Sequence, residues 1–181
     1  AIIDDENNEE INYRKLWDIS EVIVNLIKQK IEFANDYPRI ALFMERSWKH
    51  IATLIAVQKL GGTCILIDSL NPDERLQSYL KEVKPDAVIS TENLNGKAKC
   101  LSECPVYNFE DIINKPLVNK KENVKKELSN NEICFIAGTS GSTGKPKAVC
   151  LSYSGMKYTI NAIIKSSSLT ENSKGTWLSS P

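Results

Sequence analysis

Apolar residues recur at three- and four-residue steps over residues 13–33, at Leu16, Ile19, Ile23, Leu26 and Ile27. That spacing predicts an amphipathic helix. Pro38 breaks it, and RIALFM at 39–44 is an unbroken apolar run of buried-strand length. Residues 48–60 predict a second helix, stopped by Gly61-Gly62, where a residue without Cβ can take the left-handed cap. TCILID at 63–68 is the next strand. A third helix then runs from Asn71-Pro72-Asp73-Glu74 to about Val83. Asn71 is expected to cap it and Pro72 to take its first position, with the acids at the positive dipole end. DAVIS at 86–90 and a short run at 105–109 predict two further strands. Two more, at 1–4 and 10–13, flank the polar turn DDENNE. Residues 115–131, rich in Lys, Asn and Glu, predict a solvated connector, and ICFIA at 133–137 returns to a buried-strand pattern.

Strands alternating with helices predict an α/β fold, a layered and largely parallel sheet flanked by helices. At 181 residues the chain is the size of one domain.

Composition narrows the partners. Lys+Arg and Asp+Glu both number 23, and there is no dense basic stripe. Such a chain has no electrostatic reason to bind nucleic acid or a membrane surface. No apolar run approaches the roughly 20 residues that span a bilayer, and the start carries no signal-peptide pattern. Cys64, Cys134 and Cys150 sit inside apolar runs, where a free thiol acts as a small hydrophobe. Cys100 and Cys104 form a lone C-x3-C without a second pair or nearby His, so no metal site is expected there. These cysteines fit a reduced, cytoplasmic chain. The lone histidine, His50, is expected at a surface or capping position, and Glu45-Arg46 at a solvated strand end.

The chemistry concentrates in residues 138–147, GTSGSTGKPK. Gly138, Gly141 and Gly144 let the backbone approach a ligand closely, and successive N–H groups in such turns make an anion nest. The hydroxyls of Thr139, Ser140, Ser142 and Thr143 add donors along a polyphosphate, and Lys145 and Lys147 add charge. A Walker A loop is excluded. Pro146 stands where the Mg2+-binding hydroxyl should follow Gly-Lys, and Thr139 stands where the first glycine should be. Walker A also opens a helix, whereas KAVCL at 147–151 reads as a strand. A flexible Ser/Gly linker is excluded too, because linkers do not join two buried strands.

This loop resembles the signature TSGSTGxPKG of the ANL adenylate-forming superfamily, matching from Thr139 through Lys147. It departs at Ala148, where the family usually has Gly, and at Tyr153, where it often has His, a position the resemblance puts beside the substrate pocket. Upstream, LGGTCILID at 60–68 is similar to the family's KAGxAYVPID, and NPDERL at 71–76 to its YPxERL. INYRKL at 11–16 resembles its entry helix. The wording is closest to adenylation domains of nonribosomal peptide synthetases.

The resemblance implies that residues 1–181 are the partial N-terminal, AMP-binding portion of such a domain, its C-terminal part lying beyond Pro181. It implies ATP and Mg2+ as cofactors, an amino or other carboxylic acid as substrate, and acyl transfer to phosphopantetheine on a partner carrier protein. Lys147 takes the catalytic role, and Thr139, Ser140, Gly141, Ser142, Thr143 and Gly144 join it in holding phosphates. Lys145 is expected to point to solvent, and Asp68 and Arg75 to pair structurally. The remainder of the domain is then a partner in cis or in trans, and an apolar face left bare is expected to promote homodimerisation. The rival readings are an acyl-CoA ligase fragment, a complementing subunit of a split enzyme, and a non-catalytic remnant.

Overall fold

The computed structural model describes residues 2–4, 9–32, 37–114, 132–139 and 147–176. Strands β1 (Ile2–Asp4) and β2 (Glu9–Ile11) form an antiparallel pair. The main sheet holds β3 (Arg39–Phe43), β4 (Thr63–Leu66), β5 (Ala87–Ser90), β6 (Val106–Asn108), β7 (Ile133–Thr139) and β8 (Lys147–Ser152). Their order is β6-β5-β3-β4-β7-β8, the first five parallel and β8 antiparallel to β7. This is the expected layered, mostly parallel sheet. The connector expected at 115–131 lies outside the described residues.

Helices cover both faces, which is why the central strands read as continuous apolar runs and not as alternating ones. Ile40, Leu42, Met44, Cys64, Ala87 and Ile89 pack on α1 (Tyr13–Lys30), α2 (Trp48–Lys59) and α5 (Phe109–Ile113). The intervening Ala41, Phe43, Ile65, Ile67, Val88 and Ile136 pack on α3 (Asp73–Val83) and α4 (Glu92–Leu101). The last helix, α6 (Tyr153–Ser166), buries no residue among those described.

The Asn12 side chain caps α1 by accepting the Lys15 N–H at 2.8 Å. Gly61 closes α2 at φ 69°, donating to Gln58, while Gly62 donates to Val57 at 2.9 Å. This pair of reversed bonds satisfies the last carbonyls of the helix. The start of α3 differs from expectation. Pro72, with φ −56° and ψ 145°, is the cap residue and the helix begins at Asp73. Asn71 does not cap it, because its amide donates to the Asp68 carbonyl at 3.1 Å.

The helices α4 and α5 were not legible in the sequence. In ENLNGKAKCL only Ala98 is buried, and Gly96 interrupts the interior, so no apolar stripe forms. The five-residue α5 is too short to show one.

His50 is buried, at 2% exposure, and is not the surface or capping residue expected. It lies in the buried face of α2 with Ala52, Thr53, Ala56 and Val57. Burial lowers its imidazole from 6.5 to about 4, a hydrogen bond with the Met44 backbone opposing the shift. Between those pH values the unfolded chain binds a proton that the folded chain refuses. Stability is therefore unaffected by His50 above pH 6.5 and erodes as pH falls towards 4, by up to about 3 kcal/mol. Urea melts of His50→Gln across this window are expected to show a flatter pH dependence than wild type; an unchanged slope would refute the assignment.

Candidate phosphate-binding site

The C-terminal ends of the parallel strands define one edge of the sheet, and β7 and β8 meet there as a hairpin. Their register runs from Ile133↔Ser152 to Thr139↔Lys147, with an irregularity between Ile133 and Phe135. The first and last of the expected site residues, Thr139 and Lys147, are thus brought together as Cα partners. Ser140, Gly141, Ser142, Thr143 and Gly144 lie outside the described residues, as does Lys145. The strand–loop–strand setting read from the sequence is present, and no helix opens at Lys147, as a Walker A loop would require.

The hairpin is anchored at its base. The Thr63 hydroxyl donates to the Ile133 carbonyl at 2.8 Å, and the Gln58 amide to the Cys134 carbonyl at 3.0 Å. The Cys134 thiol donates to Leu151 across the hairpin. Cys64 and Cys134 behave as the expected buried hydrophobes, and burial pushes the Cys64 thiol up to about 12. Cys150 does not, being exposed on β8 at the sheet margin. Cys100 is exposed as well, and among the described residues no group of three His, Cys, Asp or Glu side chains could hold a metal.

Tyr153 is displaced from its expected role. Its backbone N–H donates to the Glu132 carbonyl at 2.9 Å, and its hydroxyl to the Gly62 carbonyl at 3.1 Å. Both contacts are at the N-terminal edge of the parallel strands, the far end of the hairpin from Thr139 and Lys147. Antiparallel pairing imposes this, since β8 runs away from the loop before reaching residue 153. Tyr153 locks the hairpin base to the Gly61-Gly62 turn, and burial raises its phenol above the usual range.

Beneath the loop end of β7 lies a cavity of about 70 Å3 whose walls include Asp68, Asn71, Arg75, Tyr79 and Gly138. A Cβ placed on Gly138 would stand 3.4 Å from Cε2 and Cζ of Tyr79, so the hydroxyl-bearing end of that ring lies under the glycine. The Tyr79 hydroxyl is buried and has no hydrogen-bond partner among the described residues. Its phenol is pushed up to about 12, mainly by burial, with Cys150 and Glu82 adding to it. The expected Asp68–Arg75 pair is absent among the described residues. Asp68 Oδ1 instead accepts the Leu70 N–H at 3.1 Å.

A larger crevice, about 500 Å3, opens over the ends of β3 and β5. Its polar groups satisfy one another. Lys49 pairs with Glu110 at 2.7 Å, Glu110 also accepts the Glu92 N–H, the Thr91 hydroxyl donates to Glu45, and the Trp48 indole to Glu9. Glu45 is therefore engaged and not merely solvated. The smaller cavity holds the orphaned polar group and adjoins the glycine loop, so it is the chemically significant one.

The amino-acid sequence matches the family model described as AMP-binding enzyme over residues 1–180. Bacitracin synthase 3 of Bacillus licheniformis is 26% identical over 165 residues, which cover 91% of this chain and 2% of that protein. The structure of McyG A-PCP complexed with phenylalanyl-adenylate superposes with TM-score 0.74 at 19% identity, covering 93% of this chain and 28% of that one. The Klebsiella oxytoca NpsA N-terminal subdomain, in complex with 3-hydroxybenzoyl-AMSN, superposes with TM-score 0.65 at 22% identity, covering 81% and 36%. The chain thus spans a small part of its curated relative and about a third of these solved chains.

Proposed function

Since the chain belongs to the AMP-binding enzyme family, we propose that it forms the polyphosphate-binding part of an adenylation domain that activates an amino or aryl acid. The observation that carries this reading is the antiparallel hairpin placing Thr139 opposite Lys147 at the C-terminal edge of a parallel sheet. Open α/β sheets bind ligands at that edge. ATP enters as its Mg2+ complex. A carboxylate oxygen of the acid attacks the α-phosphorus, the bond to the bridging oxygen of the β-phosphate breaks, and pyrophosphate departs with the electron pair. Lys147 stabilises the charge that grows on the leaving group, and Thr139, Ser140, Gly141, Ser142, Thr143 and Gly144 hold the phosphates. The acyl group would then pass to the phosphopantetheine thiol of a carrier protein, the thiol losing its proton as the carbon–sulfur bond forms and the bond to AMP breaks. The bacitracin synthase relationship supports this branch of the family over an acyl-CoA ligase.

Contacts to adenine, ribose and acid are assigned to the remainder of the domain, in cis or in trans. A surface for that remainder is available. Val149 and Leu151 on the outermost strand, and Ile160, Ile163 and Ile164 on α6, are between 41% and 50% exposed. Exposed apolar side chains of this kind suit an interaction site, and alone they favour self-association into a homodimer. The free thiols suit the cytoplasm, and no helix among the described residues is long and apolar enough to cross a membrane.

The test is pyrophosphate exchange into ATP. The isolated chain is expected to give none above background with any amino or aryl acid. Exchange is expected to return when the missing part of an adenylation domain is supplied. Robust acid-dependent exchange by these 181 residues alone would overturn the proposal.

A further inference from the structure

The cavity under Gly138 combines two unmet donors. Tyr79 is 5% exposed, its hydroxyl has no partner among the described residues, and its ring end lies under the first glycine of the loop. A buried hydroxyl without a partner is rare in native proteins and calls for an explanation such as a missing ligand. Half-buried Arg75, in the first turns of α3, lines the same cavity and makes no ion pair among the described residues. Guanidinium is the side chain best suited to planar, bidentate recognition of phosphate oxygens. The facing charge is Asp68, whose Oδ1 already accepts a backbone N–H. The Asn71 amide is directed to the Asp68 carbonyl. The opening is too small for a nucleotide. At about 70 Å3 it holds roughly two waters of 30 Å3 each, or one compact anionic group.

We infer that Arg75 and Tyr79 form a second phosphate-binding wall, taking one oxygen-rich group of the nucleotide's polyphosphate from below while Lys147 acts from the hairpin. The inference rests on the loop being a polyphosphate site. It adds two ligand-binding residues outside the glycine-rich loop. The Tyr79 hydroxyl would donate to a phosphate oxygen, which its high-lying phenol permits throughout the neutral range. Arg75 would offset the Asp68 carboxylate, so that the net attraction comes from Lys147 while the Arg75 and Tyr79 donors hold the phosphate oxygens.

Calorimetric titration of the 181-residue chain with Mg·ATP and with inorganic pyrophosphate tests this, alongside AMP, which lacks the β- and γ-phosphates. Arg75→Gln is expected to weaken ATP and pyrophosphate binding about tenfold or more, as loss of a charge-assisted contact should. Arg75→Lys is expected to recover part of it. Tyr79→Phe is expected to weaken binding a few-fold while the melting temperature stays level or rises, because an orphaned hydroxyl is removed. AMP binding should be indifferent to all three. If Lys147→Ala loses ATP but Arg75→Gln and Tyr79→Phe bind like wild type, this inference fails and the loop assignment stands. If wild type binds neither ATP nor pyrophosphate, both fail.

Discussion

Gly62→Ala is expected to lower the unfolding free energy by about 3 kcal/mol or more, a large fraction of the margin that keeps a domain folded. A Cβ there would stand 2.6 Å from the Pro38 carbonyl oxygen, 2.8 Å from Pro38 Cγ and 2.9 Å from Val57 Cγ1. None of the three can retreat easily. The Pro38 carbonyl already accepts the Thr63 N–H at 2.8 Å, which starts β4 beside β3. Val57 is fully buried, and its carbonyl receives the Gly62 N–H that closes α2. The Gly62 carbonyl is also the acceptor for Tyr153. One methyl group would therefore disturb a helix end, a strand start and the base of the β7–β8 hairpin together. Gly96→Ala is the control: nothing lies within 4 Å of its Cβ position, inside α4, and helix propensity predicts a gain of up to about 1 kcal/mol. Thermal melts should place the two variants on opposite sides of wild type. Equal melting temperatures would contradict the packing described here.

Lys147→Ala is expected to have the larger functional effect, with little change in stability. Lys147 begins β8, and its backbone pairs with Thr139 whatever side chain it carries. Its side chain is exposed at the sheet edge, so truncation creates no cavity. In the chain alone, affinity for Mg·ATP should fall about tenfold or more. In a complete domain, the rate of pyrophosphate exchange should fall about 10²- to 10³-fold, as when a donor to developing charge is removed elsewhere. Lys147→Arg keeps the charge and should recover part of the binding. Wild-type exchange by a complete domain carrying Lys147→Ala would remove this residue from the mechanism.

The strand–loop–strand reading of residues 133–151 was legible because the two flanking runs are apolar and Pro146 forbids the Walker alternative. The unbroken RIALFM and TCILID runs disclosed a sheet covered on both faces, and Gly61-Gly62 disclosed a helix stop. Other features depend on contacts between segments far apart in sequence. His50 looked like a surface residue because a single polar residue does not break a helical pattern; only the packing of α2 on the sheet shows its burial. The resemblance put Tyr153 beside the substrate pocket; antiparallel pairing carries it to the edge of the sheet opposite Thr139 and Lys147. Asn71 fitted the composition of a cap and was drawn away by the Asp68 carbonyl. Tyr79 showed no signal at all. Its place under Gly138 arises from the packing of α3 against β7, about sixty residues apart, and from a hydroxyl that finds no partner there.

The central claim is that this chain carries a polyphosphate site at the mouth of the β7–β8 hairpin. The most direct measurement is a titration of isotopically labelled chain with Mg·ATP, followed amide by amide by NMR, on wild type and Lys147→Ala. The account predicts saturable shifts centred on Ala137, Gly138, Thr139, Lys147 and Ala148, reaching Arg75 and Tyr79 on α3 and strongly reduced in the variant. Shifts centred on the Glu45, Lys49 and Glu110 crevice, or a saturable response identical in Lys147→Ala, would contradict it.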